Sequence, residues 1–149
     1  MEFDGRRNPV RIVTVKRAGR VAEGLPAVLG PSEAADALRT LIGNKDREHF
    51  VALHLDARNH IMAAEVVAVG VLTSCLVHPR EVFKGAILNG AAAIICGHNH
   101  PSGDVTPSRE DVEIEKRLRQ SGELLGMNVL DFIIVSSSTY WSSKEHGSG

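Results

Sequence analysis

The pattern of hydrophobic and polar residues predicts a series of strands. Alternating or continuous runs of β-branched and aliphatic residues, bounded by Gly, Pro, Asn and Asp, are typical of strands. The clearest runs are 10–15, 48–55, 61–69, 91–96 and 128–136. A less regular run at 71–77 could hold a short strand, and 140–143 is predicted as an edge strand. Because only a turn at 56–59 separates them, 48–55 and 61–69 should form a hairpin.

Three further segments place apolar residues at helical spacing. The predicted helices lie between Pro31 and Gly43, between His78 and Asn89, and over 108–125. Ser32 is the predicted N-cap of the first helix. Pro79 takes a first-turn position of the second, where a missing N–H costs nothing. The order β-α-β-β-α-β-α-β, with the edge strand last, predicts an α/β (mixed α+β) fold in which helices flank a mixed central sheet.

Composition indicates one globular domain. Hydrophobic residues make up 43% of the 149 residues and charged residues 23%, which suits a chain with a single core. We expect a loose N-terminus at 1–9, the domain at 10–143 and a loose tail at 144–149. The longest apolar runs are far shorter than a membrane span, and the N-terminus lacks the apolar segment of a signal peptide.

Charge and cysteine content narrow the protein class further. Lysine and arginine number 17 against 18 acidic residues, so no net positive charge draws the chain to nucleic acid or to an anionic membrane. Two cysteines, Cys75 and Cys96, are too few for a disulfide framework. They suit a reducing compartment, and we expect a cytoplasmic protein with no membrane partner.

Two histidines in the segment 97–111 predict a metal site. His98 and His100 follow the 91–96 strand. Residues two apart in a strand point to the same side, so both imidazoles can reach one point. With Asp111 as a third ligand, the fourth tetrahedral position is left for water, as in catalytic zinc sites. We therefore predict one zinc ion held by these three residues.

Asp111 has two interpretations. With Ser108 as N-cap, it is the third residue of its helix. The same helix face, predicted to turn towards the sheet, holds Ile114, Leu118 and Leu125. An unpaired carboxylate there is costly, and a metal removes that cost. The alternative, that Ser108 and Asp111 form only a capping box, leaves the two histidines unexplained.

The general base of a zinc hydrolase would be one of the glutamates, since a carboxylate must carry the water's proton to the leaving group. Glu81 lies in the first turn of a predicted helix, where the helix dipole already explains it. Glu65 lies in the middle of the hairpin and is predicted to be solvated. Glu48 begins a strand whose neighbour could be the 91–96 strand, so the pattern modestly favours Glu48.

Three other residues lie near the predicted metal site, and their roles can be interpreted in more than one way. Cys96 lies on the strand side of His98, either as a thiolate ligand or, more simply, as a small buried residue. His78 is predicted as a helix-entry residue, with a contribution to a substrate groove as the alternative. Asn99 points away from the metal by strand alternation and should hydrogen-bond the loop.

These residues resemble a known family. The His-x-His motif at 98–100, followed by Ser108 and Asp111, is similar to the JAMM signature of the MPN/JAB-domain metalloproteases. The segments 77–82 and 98–104 look closer still to the RadC-type JAB domain, and from the length of the chain we expect a stand-alone domain without the helix-hairpin-helix module. The resemblance implies an MPN/JAB-like, cytidine-deaminase-like three-layer architecture.

The resemblance also implies roles for single residues. His98, His100 and Asp111 would hold one zinc ion together with a water. Glu48 would be the general acid/base, and Ser108 would help to stabilise the oxyanion. The implied reaction is hydrolysis of a peptide or isopeptide bond, with a peptide or protein, such as a ubiquitin-like modifier, as substrate.

Two other functions stay open at this stage. RadC-type proteins carry a DNA-repair label, and short members resemble proteins of mobile elements and anti-restriction systems. The near-neutral charge argues against direct binding of nucleic acid. A non-catalytic MPN-like scaffold is the other alternative, and an intact ligand set argues against it.

Overall fold

The computed structural model describes residue 28, residues 30–73 and residues 76–147. Its three helices and five strands are α1 (Pro31–Ile42), β1 (His49–Leu55), β2 (Ile61–Val69), α2 (Pro79–Leu88), β3 (Ala93–Asn99), α3 (Arg109–Leu125), β4 (Asn128–Val135) and β5 (Tyr140–Ser142). The predicted strand at 10–15, the N-terminus 1–9 and Cys75 lie outside the described residues. The described part of 71–77 forms no strand.

The five strands form one mixed sheet in the order β2-β1-β3-β4-β5. β1 and β2 make the predicted antiparallel hairpin, and β1 also pairs antiparallel with β3. β3 and β4 run parallel, with α3 as the crossover between them, and β5 adds an antiparallel edge. The predicted α/β class with a mixed central sheet is confirmed.

Helices cover both faces of this sheet and give three layers. On one face, α1 packs on buried residues of the central strands, Val51, Leu53, Leu55, Ile95, Ile133 and Val135. On the other face, α2 and α3 bury a second set, Phe50, Ala52, Ile94, Cys96, Phe132 and Ile134. The layers follow from the alternation of side chains along β1, β3 and β4, which one register shift interrupts between Val129 and Asp131 of β4. Within the described residues, no helix combines the length and apolar character that crossing a bilayer requires.

The central strand β3 begins and ends later than predicted. Ala91 and Ala92 belong to the turn after α2, where their N–H groups donate to the carbonyls of Ala86 and Leu55. The strand continues through His98 and Asn99, and all of its residues are buried. Hydrophobicity alone could not give this end, because polar side chains there are buried among specific partners.

Two predicted details of the helices are wrong. The N-cap of α1 is Gly30 rather than Ser32, because Pro31 takes the first helical position and pushes Ser32 inside the helix. On α3, Ile114 and Leu118 are buried as predicted, but Leu125 is 50% exposed. The chain leaving α3 folds back on Gly122, where the Met127 N–H donates to the Gly122 carbonyl, so Leu125 lies beyond the buried face.

Gly97 lets α1 approach the strand that carries the histidines. A Cβ at Gly97 would lie 2.3 Å from Cδ1 of Leu38, which is fully buried on α1. Leu38 cannot swing aside without displacing other core residues. Glycine is therefore required here for close packing rather than for an unusual backbone angle.

We expect Gly97→Ala to lower the free energy of unfolding by about 1–3 kcal/mol through overpacking. In a Leu38→Ala background the methyl group has room, so the same substitution should cost much less. Denaturant unfolding of the two single variants and the double variant measures this coupling. An equal cost of Gly97→Ala in both backgrounds would contradict the close contact.

His54, next to the last residue of β1, is a buried titratable group. It is 1% exposed, and its Nδ1 lies 2.8 Å from Nδ2 of Asn89. Its Nε2 has no hydrogen-bond partner among the described residues and lies 3.9 Å from Oε2 of Glu65. Burial lowers the pKa of His54 below its ordinary value of 6.5. His54 is therefore a structural residue of the core, away from His98 and His100.

The lowered pKa of His54 predicts a loss of stability in acid. Near and below pH 6.5 the unfolded chain takes up a proton at this position more readily than the folded protein does. The free energy of unfolding therefore decreases as the pH is lowered. His54→Leu removes this proton uptake, and its unfolding free energy should fall less between pH 7.5 and 5.5 than that of the parent. Urea unfolding at the two pH values measures the difference. His60→Gln, at an exposed turn residue, is the control, and an unchanged pH slope in His54→Leu would refute the assignment.

Candidate metal centre

The end of β3 brings the two histidines together as predicted. His98 lies within the strand and His100 just after it, and their ring centroids are 4.8 Å apart. His98 is fully buried and stacks on Phe50, with the edge of Phe132 against it. Because strand alternation points both rings towards the face covered by α3, they converge on one region of the structure.

Asp111 faces both imidazoles from the first turn of α3. Its Oδ1 lies 3.1 Å from Nε2 of His98, and its Oδ2 lies 3.2 Å from Nε2 of His100. The same carboxylate accepts a hydrogen bond from the Ser108 N–H, while Ser108 Oγ accepts one from the Asp111 N–H. The capping box and the inward carboxylate were alternatives in the sequence, and both are present in the structure.

Charge and burial oppose each other at Asp111. Burial alone would raise the pKa of its carboxyl group, but the imidazoles of His100 and His98 outweigh burial. They hold this pKa far below its usual range, so the group is a carboxylate. The hydrogen bond to Asp111 in turn raises the pKa of His100.

The ring nitrogens of the two histidines suit a cation. Neither nitrogen of the buried His98 has a hydrogen-bond partner among the described residues, although its Nε2 is close to Asp111. Nδ1 of His100 lies 2.7 Å from the carbonyl oxygen of Asp104. A carbonyl only accepts, so Nδ1 carries a proton, and Nε2 is the nitrogen that would offer a lone pair to a metal ion in place of its hydrogen bond to Asp111. An unsatisfied buried nitrogen, a fixed lone pair and a carboxylate together fit a divalent metal ion.

Glu48 is the second carboxylate of this cluster. It immediately precedes β1, and its ligand atom lies within 4.8 Å of those of His98 and His100, a possible metal-binding group. The N–H of Leu72 donates to Oε2 of Glu48 at 3.2 Å, and the N–H of Gly70 donates to its carbonyl at 2.8 Å. β1 and β3 are neighbours, as predicted, and this pairing brings Glu48 to the histidines.

The other two glutamates lie away from the cluster. Glu81 is exposed on α2 and forms an ion pair with Lys84 at 2.7 Å. Glu65 packs against Gly85 of α2, where burial raises the pKa of its carboxyl group. Sequence reasoning had predicted a solvated Glu65, and the structure shows instead a half-buried side chain beside His54.

The structure also shows the surroundings of Cys96, His78 and Asn99, for which the sequence left more than one role open. Cys96 is buried in the core and is not part of the group formed by Glu48, His98 and His100, and burial raises the pKa of its thiol to about 12. His78 is the N-cap of α2, with its Nδ1 accepting from the Arg80 N–H. Asn99 does point away from the histidine side, but it bonds the segment before β1 rather than its own loop. The contacts at Leu72 and Asp104 have no sequence signal, since backbone groups make them.

A groove of about 730 Å³ opens over the cluster. Glu48, His100 and Ser108 line it, together with segments 70–71 and 101–102. Val71 beside it is 80% exposed. The groove leaves Glu48 and His100 accessible from solvent, whereas Asp111 is buried and does not line it.

This α/β domain, with a His-x-His pair at a central strand end and a carboxylate at the following helix start, has the arrangement expected of a JAB domain. A family model described as RadC-like JAB domain matches residues 28–148. The chain belongs to the RadC-like JAB domain family.

Curated relatives support the same family. A UPF0758 protein of Rubrobacter xylanophilus is 48% identical over 124 residues, which cover 83% of this chain and 54% of the relative. UPF0758 proteins of Desulforudis audaxviator and Desulforamulus reducens are 47% and 44% identical, covering 89% and 93% of this chain and 57% and 65% of theirs. The chain thus spans a little over half the length of the relatives it matches, and their names state no activity.

We expect Ser108→Ala to lower the free energy of unfolding by about 1 kcal/mol, because the Asp111 N–H at the start of α3 loses its acceptor. Ser108→Thr keeps a hydroxyl at the N-cap and is the matched control. Thermal unfolding followed by circular dichroism measures both variants. Equal stability of the Ala variant and the parent would show that the capping box does not hold the helix start.

Proposed function

We propose that the protein is a zinc-dependent hydrolase of the JAMM type that cleaves a peptide or isopeptide bond. The observation that carries this proposal is the convergence of two imidazole Nε2 atoms on one buried carboxylate, with a second carboxylate alongside. A capping box alone requires neither histidine. An ordinary buried ion pair requires no second acid at the mouth of a groove.

In this proposal His98, His100 and Asp111 hold the zinc ion. Bound there, zinc would lower the pKa of a water to about 7 and polarise the carbonyl of the scissile amide. Asp104 supports the site from behind, because its carbonyl fixes the proton of His100 on Nδ1. The Asp111 carboxylate would neutralise part of the charge of the zinc ion, because its pKa stays low although it is buried.

Glu48 carries the proton in this mechanism. The Leu72 N–H holds its Oε2, which leaves Oε1 to take a proton from the attacking water and to deliver it to the leaving amine. Ser108 Oγ accepts from the Asp111 N–H, so its own hydroxyl proton is free to donate to the developing oxyanion. These two side chains and His100 line the same groove, as a shared substrate requires.

The proposed substrate is a peptide or protein, and a ubiquitin-like modifier is one form it would take. The open groove suits an extended chain that enters from solvent, with the scissile amide placed between Glu48 and Ser108. A near-neutral chain offers no field that would favour a nucleic acid.

Two substitutions separate the roles of the acids. Glu48→Gln should retain zinc, because three ligands remain, and should lower hydrolysis about 100- to 10,000-fold. Asp111→Asn should lose zinc during dialysis against metal-free buffer. Elemental analysis of protein purified without chelator, followed by cleavage assays on peptide and diubiquitin panels, measures both effects. Glu81→Gln, at an exposed glutamate of α2, is the matched control and should behave like the parent.

Distinct results would overturn different parts of the proposal. Absence of zinc from the parent protein would remove the metallohydrolase altogether. If Glu48→Gln lost zinc and Asp111→Asn retained it, Glu48 would be the metal ligand and Asp111 would be the candidate base. Full activity of Glu48→Gln on a cleaved substrate would remove only the assignment of the base.

A further inference from the structure

Asn99, the last residue of β3, joins two parts of the metal centre. It lies between His98 and His100 in the chain, yet its side chain points to the opposite side of the strand and is 1% exposed. Its Oδ1 accepts from the His49 N–H at 2.7 Å. Its Nδ2 donates to the carbonyl of Arg47 at 2.9 Å and lies 3.4 Å from that of Lys45. All three partners belong to the segment 45–49 that carries Glu48.

The bonds from Asn99 fall on both sides of Glu48. Arg47 precedes Glu48 and His49 follows it, so one amide group fixes the peptide units that flank the acid. His49 adds to this by placing its own Nδ1 2.9 Å from the Arg47 carbonyl. Among the described residues, the Glu48 side chain has one hydrogen bond, from the Leu72 N–H. The position of its carboxylate therefore depends on this bond and on the position of its own backbone.

The segment 45–49 has little else to hold it. Residues 45–48 are the irregular connection between α1 and β1, and residues 44–47 are exposed. The other backbone anchors among the described residues are the Lys45 N–H to the Ile42 carbonyl, the Gly70 N–H to the Glu48 carbonyl and the pairing of His49 with Val69 of β2. Exposed connections of this kind move unless buried groups fix them.

We propose that Asn99 is a positioning residue that sets Glu48 at a fixed distance from the metal ligands. The inference rests on the proposed function, because it takes Glu48 as the general base. His98, Asn99 and His100 are consecutive residues at the end of β3, so a movement of this strand end carries the histidines and Glu48 together. An amide is suited to this task because it donates and accepts at once. An aspartate at position 99 would keep the acceptor for His49 but would turn an oxygen towards two carbonyl oxygens.

A double-mutant cycle with Co²⁺ as the bound metal tests the proposal. The pH at which the visible spectrum of the Co²⁺-loaded protein changes reports the protonation equilibrium at the metal, to which a nearby Glu48 is coupled. Glu48→Gln should shift this pH. Asn99→Ala should bind one Co²⁺ and should produce most of the same shift, because the carboxylate is no longer held in place. In the double variant Asn99→Ala should add almost nothing.

Control variants separate positioning from folding. Asn44→Ala, at an exposed residue of the same connection, should leave the spectrum and its pH dependence unchanged. Asn99→Asp keeps the side-chain volume and carries the test if Asn99→Ala does not fold. Circular dichroism and the Co²⁺ stoichiometry confirm that each variant is folded and loaded.

The possible results distinguish this inference from the proposed function. A normal pH dependence in both Asn99 variants, or an equal shift in the presence and absence of Glu48, would overturn the positioning role. Absence of Co²⁺ binding in the parent, or no shift in Glu48→Gln, would instead overturn the proposed site itself. Loss of Co²⁺ from both Asn99 variants would show that Asn99 supports the histidines and not Glu48.

Discussion

Compensation of one buried negative charge governs the arrangement at the end of β3. The Asp111 carboxylate is 3% exposed, and it would be costly without the two imidazoles and the Ser108 N–H that face it. The capping box fixes where α3 begins, and the start of α3 fixes where the carboxylate meets the histidines. Helix initiation and the geometry of the candidate metal centre are therefore one interaction.

The layers of the fold serve this interaction. β3 can be buried along its whole length because β1 and β4 pair with both of its edges and helices cover both of its faces. Gly97 allows α1 to approach one face, while the neighbouring His98 projects from the other against Phe50 and Phe132. The ring of His98 is thus held by packing, which leaves its nitrogens available to a ligand.

Much of this could be predicted from the sequence, because hydrophobic periodicity and turn residues encode it. The hairpin, the sheet with flanking helices, and the meeting of His98, His100 and Asp111 all follow from local spacing. The N-cap of α1, the burial of Glu65 and the exposure of Leu125 could not be predicted, since each depends on how elements pack in three dimensions. Backbone groups such as the Leu72 N–H and the Asp104 carbonyl are the same in every residue, so no pattern reveals their role.

The separation of residues along the chain divides the site into a local and a long-range part. His98, His100 and Asp111 belong to one continuous β3–α3 segment, whereas the bond between His49 and Asn99 joins residues 50 apart. Closing that longer loop costs more chain entropy and requires β1 to find β3. His98, His100 and Asp111 therefore come from one local stretch of chain, whereas Glu48 joins them only through the long-range pairing of β1 with β3.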